Sequence, residues 1–170
     1  MSDFLLSQIL VTITLIIELF AMQLKNKNSL LGFLSVSCLF NGLHYLLLEQ
    51  PTAGFIFLFS SLRFLISIKW KLRWVSIASL CISFIITIYT YVGFLSIIGF
   101  IATIFTTTGS FSRSDKVLRL MMIIGGSLWL IHNLILWTPV GILVEAAFVG
   151  SSFIGYYRYY VIKKEKNIAF

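Results

Sequence analysis

Apolar residues are grouped into seven runs that short polar segments separate. The runs cover residues 4–22, 30–48, 52–68, 74–91, 93–108, 117–136 and 140–160. Each run approaches the ~20 residues that a helix needs to cross the ~30 Å hydrocarbon core of a bilayer. The runs are apolar on all sides, so their length rather than their periodicity favours helices over strands. The pattern predicts an all-α membrane protein with seven transmembrane helices.

The composition also predicts a membrane protein. The chain of 170 residues is 59% hydrophobic and 11% charged, whereas an ordinary soluble domain carries about 25% charged residues. The formal net charge is +7, but the basic residues stand in short loops rather than along one binding stripe. We therefore expect the lipid bilayer, and not nucleic acid, to be the main partner.

The positions of the basic residues predict the orientation. They follow the first, third, fifth and seventh runs, and every basic residue except Arg63 falls on that side: Lys25, Lys27, Lys69, Lys71, Arg73, Arg113, Lys116, Arg119, Arg158, Lys163, Lys164 and Lys166. The opposite ends carry Asp3 and Glu49. By the positive-inside rule the N-terminus is outside and the C-terminus is cytoplasmic. No positively charged segment precedes the first run, so no signal peptide is expected.

The two halves of the chain resemble each other. Residues 44–54 (HYLLLEQPTAG) and 132–141 (HNLILWTPVG) both place a histidine near a helix end and a glycine after the next turn. Upstream, Ser7, Thr14 and Glu18 match Ser96, Thr103 and Thr107 at one constant offset. The sequence predicts a first three-helix repeat at 1–70, a linker helix at 71–92, and a second repeat with a cytoplasmic tail at 93–170. The single linker makes the repeats parallel, a transporter arrangement with sites where the halves meet.

Three charged residues are candidates for a cavity wall or a gate: Glu18, Arg63 and Glu145. A charge at the bilayer centre costs roughly 2.5–3.5 kcal/mol, so it usually faces the bundle interior and has a partner. Glu18 and Arg63 lie at similar depths on the first and third helices, which predicts an ion pair. That pair would line a cavity or only hold the first repeat together; alternatively, Arg63 extends to the interface.

Polar and aromatic residues near the outer ends are candidates for solute binding. His132 and Glu145 have matching depths, which predicts a hydrogen bond and a possible proton relay, with His44 as the equivalent histidine. Trp129 lies one helical turn before His132, and Asn41 holds the matching position before His44. With Asn133, these groups would bind a sugar or a nucleobase-like ring by stacking and hydrogen bonding. The alternative is ordinary helix packing.

Enzymatic motifs are absent from the sequence. It has no HExxH, no GxSxG, no glycine-rich phosphate loop, and no metal-ligand spacing around Cys38 or Cys81. Every lysine lies in a predicted loop or tail, outside the seven apolar runs, so a Schiff-base lysine inside the last helix is absent. We expect neither catalysis nor a cofactor or metal.

Several short motifs resemble the bacterial inner-membrane family YgjV. They are residues 128–133 (LWLIHN), Gly141-x-x-x-Glu145, residues 155–158 (GYYR), His44 and residues 61–63 (SLR). In layout the chain is also similar to the SWEET sugar transporters, the PQ-loop proteins and the PnuC vitamin transporters. It departs from them, because Gln50-Pro51 reverses the Pro-Gln dipeptide and both prolines lie at predicted helix ends. The resemblance implies a 3+1+3 fold and transport of a small solute.

Two functions remain open at this stage. The first is an inner-membrane transporter or facilitator for a small polar or heterocyclic solute, working by alternating access between the two repeats. The second is a non-transporting scaffold or partner subunit, whose polar residues only hold helices together. The sequence indicates neither the substrate, the direction of transport nor the oligomeric state.

Overall fold

The computed structural model describes residues 3–162, and every regular element among them is helical. The helices are α1 (Asp3–Gln23), α2 (Lys27–Leu47), α3 (Pro51–Lys69), α4 (Arg73–Tyr89), α5 (Phe94–Phe111), α6 (Asp115–Leu136) and α7 (Pro139–Tyr157). A π-helical turn, Arg158–Ile162, follows α7. Each predicted run coincides with one helix to within three residues at either end. Lys163, Lys164 and Lys166 of the predicted basic tail lie outside the described residues.

Local sequence explains where the helices begin. The side chain of Asn26 accepts hydrogen bonds from the backbone N–H groups of Asn28 and Ser29, which would otherwise lack partners at the start of α2. Ser114 does the same for Val117 at the start of α6. Proline has no N–H to lose in a first turn, and both α3 and α7 begin at a proline. The prediction that both prolines lie at helix ends is therefore confirmed.

Six of the helices in the described chain are long and apolar enough to cross a membrane. The remaining helix, α4, is apolar but has only 17 residues. Large apolar side chains cover the outside of the bundle; Ile16, Leu62 and Leu143, for example, are 59–66% exposed. The prediction of a multi-span helical membrane protein is confirmed for six helices, and the seventh span stays a prediction.

The six longer helices form a closed ring. Consecutive helices are joined by turns of two to four residues and pack against one another as antiparallel pairs. Around the ring the order is α1, α2, α3, α5, α6 and α7, and α7 packs back against α1. Helix α4 lies outside the ring, against α3 and α5. The turns at 24–26, 70–72 and 112–114 share one end with most of the basic residues, and we call this the basic end.

Polar side chains are buried inside the ring together with an apolar core. The predicted polar stripes of α1, α3 and α5 are all buried: Ser7, Thr14 and Glu18; Ser60, Arg63 and Ser67; Ser96, Thr103 and Thr107. Several of these hydroxyls donate to carbonyl oxygens of their own helix, as the Thr103 hydroxyl does to Gly99 at 2.8 Å. This bond satisfies a hydroxyl without a second helix. The ring is thus apolar outside, and its interior combines an apolar core with buried polar stripes.

Glycines allow close approach of neighbouring helices within the ring. A Cβ atom at Gly42 of α2 would lie 3.1 Å from the carbonyl oxygen of Gly54 on α3, and one at Gly54 would lie 3.2 Å from the Gly42 oxygen. On α6, a Cβ atom at Gly125 would lie 3.1 Å from the Ala102 oxygen of α5. The side chains of Leu58 and Thr106 lie nearer still, at 2.7 and 2.6 Å. Because a backbone oxygen lies behind each of them, a side chain at these glycines would push the helices apart.

We expect Gly42→Ala to lower the thermal stability of the protein in detergent, because α2 and α3 must move apart to admit the methyl group. Overpacking of this kind costs about 1–3 kcal/mol. Gly150→Ala is the matched control, since no atom lies within 4 Å of its added Cβ; alanine there should be neutral or stabilising by up to ~1 kcal/mol. Equal melting temperatures for the two variants would contradict the close crossing.

Candidate functional site

All six helices of the ring border one central cavity of about 40 Å³. Its lining combines three charged side chains and several hydroxyls with a larger apolar surface. The lining residues are Glu18, Leu34, Cys38, Phe57, Ser60, Arg63, Phe64, Thr103, Thr106, Met122, Gly126, Trp129, Glu145 and Phe148. All three members of the predicted charged group, from α1, α3 and α7, therefore lie at this cavity.

The two carboxyl groups of the cavity are incompletely partnered. Glu18 is 5% exposed, and one of its carboxylate oxygens accepts a hydrogen bond from the Ser37 hydroxyl. The other oxygen, Oε2, is buried and has no protein partner. Glu145 is also 5% exposed, and none of the described residues donates a hydrogen bond to its carboxylate. An unpaired buried carboxylate is costly, which makes this site unusual for a purely structural core.

Arg63 reaches from α3 to α5. The guanidinium nitrogen Nη1 donates to the Thr107 hydroxyl at 2.6 Å, and Nη2 donates to the Thr106 hydroxyl at 3.1 Å. Its Nε is buried without a partner, and its side chain is only 1% exposed. The ring of Phe64 lies 5.0 Å from the guanidinium carbon. Arg63 thus joins two helices from different halves of the chain and does not extend to the membrane interface.

Two predicted pairings are wrong. The only ion pair among residues 3–162 joins Arg119 to Asp115, so Glu18 and Arg63 form none. Each charged group instead bonds to a hydroxyl on an adjacent helix of the ring. Glu18 bonds to Ser37 on α2, and Arg63 bonds to Thr107 on α5. His132 forms no hydrogen bond with Glu145, and its Nδ1 is buried without a partner. The histidine instead packs edge-on against Trp129, with ring centroids 5.1 Å apart.

An aromatic layer covers the cavity toward the end opposite the basic end. Tyr45 stacks on Phe57 with ring centroids 5.3 Å apart, and Phe57 lies 4.5 Å from Trp129. The ring of His132 lies 5.5 Å from Tyr45. The Tyr45 hydroxyl donates to Asn133 Oδ1 at 3.0 Å, which joins α2 to α6 across the ring. We call Tyr45, Phe57, Trp129 and His132 the aromatic layer.

The predicted solute-binding residues do not all reach the cavity. Of that group only Trp129 lines it. Asn133 instead holds Tyr45 and accepts a hydrogen bond from Thr138 at 2.8 Å. His44 approaches the Ser7 carbonyl oxygen at 3.0 Å through Nδ1, and Asn41 is buried with its amide nitrogen unpartnered. The structure therefore does not place Trp129 and Asn41 on facing walls of one site.

Arg119 closes the basic end of the ring. Its side chain is fully buried, and it donates from Nη1 to the Met22 oxygen at 3.0 Å and from Nη2 to the Leu24 oxygen at 2.6 Å. These carbonyls end α1, where the helix dipole favours a cation. Asp115 accepts from Arg119 Nε at 3.1 Å. Gly155 of α7 provides the space, because a Cβ there would lie 2.9 Å from Arg119 Nη1.

Sequence reasoning missed several residues that shape the site. Arg119 was counted with the loop charges, although its position inside the sixth apolar run was a signal of burial. Tyr45 was also missed, although its position directly after His44, near the end of a predicted helix, was a signal that it belongs to the site. Phe57 and Ser37 gave no signal, because phenylalanine and serine are frequent in apolar helices. Among residues 3–162, no group of three or more side chains suited to a metal occurs.

Comparison with known proteins identifies the family. The family model Imp-YgjV, described as "Bacterial inner membrane protein", matches residues 5–163. The chain belongs to this family. It is thus a multi-pass protein of the bacterial inner membrane, as the sequence predicted. No curated protein and no solved structure matches this chain.

We expect Thr107→Val to lower stability by about 2–4 kcal/mol, because it leaves a buried guanidinium without one of its acceptors. In an Arg63→Met background the same change should cost less than ~1 kcal/mol, and a double-mutant cycle of melting temperatures measures the difference. Thr108→Val, on the exposed side of the same helix, is the control. Additive effects of Arg63→Met and Thr107→Val would contradict the contact.

Proposed function

We propose that this inner-membrane protein transports a small polar solute through the central cavity. The supporting observation is the position of the cavity: it lies on the axis of a closed helical ring and is bordered by all six ring helices. A chamber with charged and hydroxyl groups in that place would divide the path across the membrane into two halves. A transporter needs such a site near the bilayer midplane.

The proposed moving parts are two three-helix units, α1–α3 and α5–α7. The helices of each unit pack in chain order, and the units meet where α3 packs on α5 and α7 packs on α1. These two seams join equivalent helices of the predicted repeats, the third of one unit and the first of the other. The arrangement is that expected of parallel repeats around an axis along the membrane normal. Helix α4 is the proposed linker span.

Side-chain layers close the cavity at both ends. Toward the opposite end lie the aromatic layer and the Tyr45–Asn133 hydrogen bond. Toward the basic end, Arg119 holds the last carbonyls of α1, and Gln23 donates to the Ser151 hydroxyl of α7 at 2.7 Å. If one unit rocked against the other, the contacts at one end of the cavity would break while those at the other end stayed intact. We therefore propose that this conformation is an occluded state of alternating access.

The alternative is a non-transporting scaffold or partner subunit. A scaffold core gains nothing from unpaired polar groups, since each costs about 1–3 kcal/mol or more if charged. Near this cavity, Glu18 Oε2 and Arg63 Nε are buried without a partner, and Glu145 has no donor among residues 3–162. This concentration at the centre favours transport. The cavity's small volume favours a small polar solute over a heterocyclic one in this conformation.

Transport is tested directly by uptake into proteoliposomes. Radiolabelled glucose, uracil, glycine and methylammonium serve as probes, with protein-free liposomes as the blank. At least one should enter faster with the wild type, and Glu145→Gln should change that rate by tenfold or more, because Glu145 borders the cavity. Glu49→Gln, in an exposed turn, should leave it unchanged. Blank-level uptake of all four would favour the scaffold.

Alternating access is tested with Cys38, a native reporter that lines the cavity. The experiment uses a Cys81→Ser background, so that Cys38 is the cysteine that reacts. Tyr45→Phe should raise the labelling rate of Cys38 by a charged maleimide roughly 3–10-fold, because it removes the Tyr45–Asn133 hydrogen bond, worth ~1 kcal/mol, that holds the aromatic layer closed. The rise should be confined to reagent added outside. Tyr89→Phe, at an exposed tyrosine, is the control. A rigid scaffold predicts equal, negligible labelling in every variant.

Orientation is tested with fusions at the two ends. Because the basic end is proposed to be cytoplasmic, a C-terminal green fluorescent protein should fluoresce and a C-terminal alkaline phosphatase should be inactive. A phosphatase placed in the turn at 90–93 should be active. The reverse pattern would contradict both the proposed orientation and the proposal that Tyr45 closes the cavity toward the outside of the cell.

A further inference from the structure

The central cavity has an excess of negative charge. Two carboxyl groups and one guanidinium border it, and its only other ionisable lining residue is Cys38. With both carboxyl groups ionised, the lining is therefore one positive charge short of neutrality. Net charge in a low-dielectric interior is expensive, which makes such a site a strong attractor for one more cation.

No described residue supplies that charge. Arg63 donates to the threonines of α5 and forms no ion pair with either carboxylate. Arg119 is held at the basic end by Asp115 and by two carbonyl oxygens. Within the described range 3–162, the second carboxylate is thus left without a positive partner, and the site is open to a cation from solution.

Free oxygen atoms are available to receive it. Glu145 has no donor among residues 3–162, and Glu18 Oε2 is buried without a partner. The Ser60 hydroxyl also borders the cavity and makes no hydrogen bond to the described residues. Glu18 and Glu145 are each more than nine-tenths buried. Carboxylate and hydroxyl oxygens are the ligands that hard cations prefer.

We propose that Glu18 and Glu145 form the central binding site for one monovalent cation. The cavity of about 40 Å³ limits its size, since a water molecule has a share of about 30 Å³ in the liquid. A sodium ion, an ammonium ion or a proton carried on a carboxylate meets this limit. This inference rests on the proposed function, because it names the cation as solute or coupling ion of the same cavity.

The test compares melting temperatures of the purified protein in detergent between pH 5 and 9. Sodium chloride and ammonium chloride are each compared with choline chloride at equal ionic strength, since choline is too large for the cavity. The variants are Glu145→Gln and Glu18→Gln, with Glu49→Gln as the control for loss of one surface charge. Other ionisable groups near the cavity are Arg63, Cys38, Tyr45 and His132, and all of them stay unchanged in every variant.

In the wild type, the bound cation should raise the melting temperature by roughly 5–10 °C at a hundredfold excess over its dissociation constant. Glu145→Gln should abolish that rise and should be more stable than the wild type in choline at pH 9, because it removes the unpaired charge. Glu18→Gln should behave similarly, which guards against a folding defect in one variant. Glu49→Gln should follow the wild type.

Comparison of the salts and pH values identifies the cation. A rise with only one salt names sodium or ammonium, and a rise with falling pH in all salts, lost in Glu145→Gln, names the proton. Coincident curves for the wild type and both cavity variants, in every salt and at every pH, would overturn the proposal. Solute uptake without cation-dependent stability would rule out the cation site and leave the transport proposal standing. Cation-dependent stability without solute uptake would rule out transport and leave the cation site standing.

Discussion

The fold depends on one constraint: lipid offers no partner to a charged group, so the charged side chains within the membrane must turn inward. The closed ring meets this constraint, because its outside is covered by apolar side chains while hydroxyls and charges line its interior. Serine and threonine donate to carbonyls of their own helices, as Ser83 does to Ser79. Charged groups have no such local solution. They therefore gather where the six helices face one another.

The two buried arginines show how differently this constraint is met. Arg119 has an acidic partner, two carbonyl acceptors and the ring of Tyr159 at 5.2 Å, and it lies near the basic end of α6. Arg63 has two hydroxyls, no acidic partner and an unsatisfied Nε. The fully partnered arginine is suited to holding helices together. The partly partnered one borders the same cavity as two incompletely partnered carboxylates, which is the arrangement that the proposed transport site requires.

Sequence reasoning predicted the secondary structure well, because run length and loop chemistry determine it locally. The burial of the polar stripes on α1, α3 and α5 also followed from the sequence, since lipid leaves such residues one direction to face. The pairings did not follow. Depth along a helix placed Glu18 level with Arg63, but the order of helices around the ring decides neighbours, and α1 and α3 are separated by α2. That order is a property of tertiary packing that no single helix encodes.

The distribution of close contacts suits motion between the proposed units rather than within them. Glycine crossings limited by backbone atoms occur at α2–α3 and α5–α6, inside each unit. The α3–α5 seam instead carries hydroxyl contacts, such as Thr52 with Ser96 at 2.9 Å, and the bonds of Arg63. Such bonds exchange readily for water when a seam opens. Gly155 is the exception: a Cβ there would lie 3.1 Å from the Met22 oxygen across the α1–α7 seam. In the proposed transport cycle the basic end would therefore be the tighter closure, and the aromatic layer, joined across the ring by the Tyr45 hydroxyl, would open more easily.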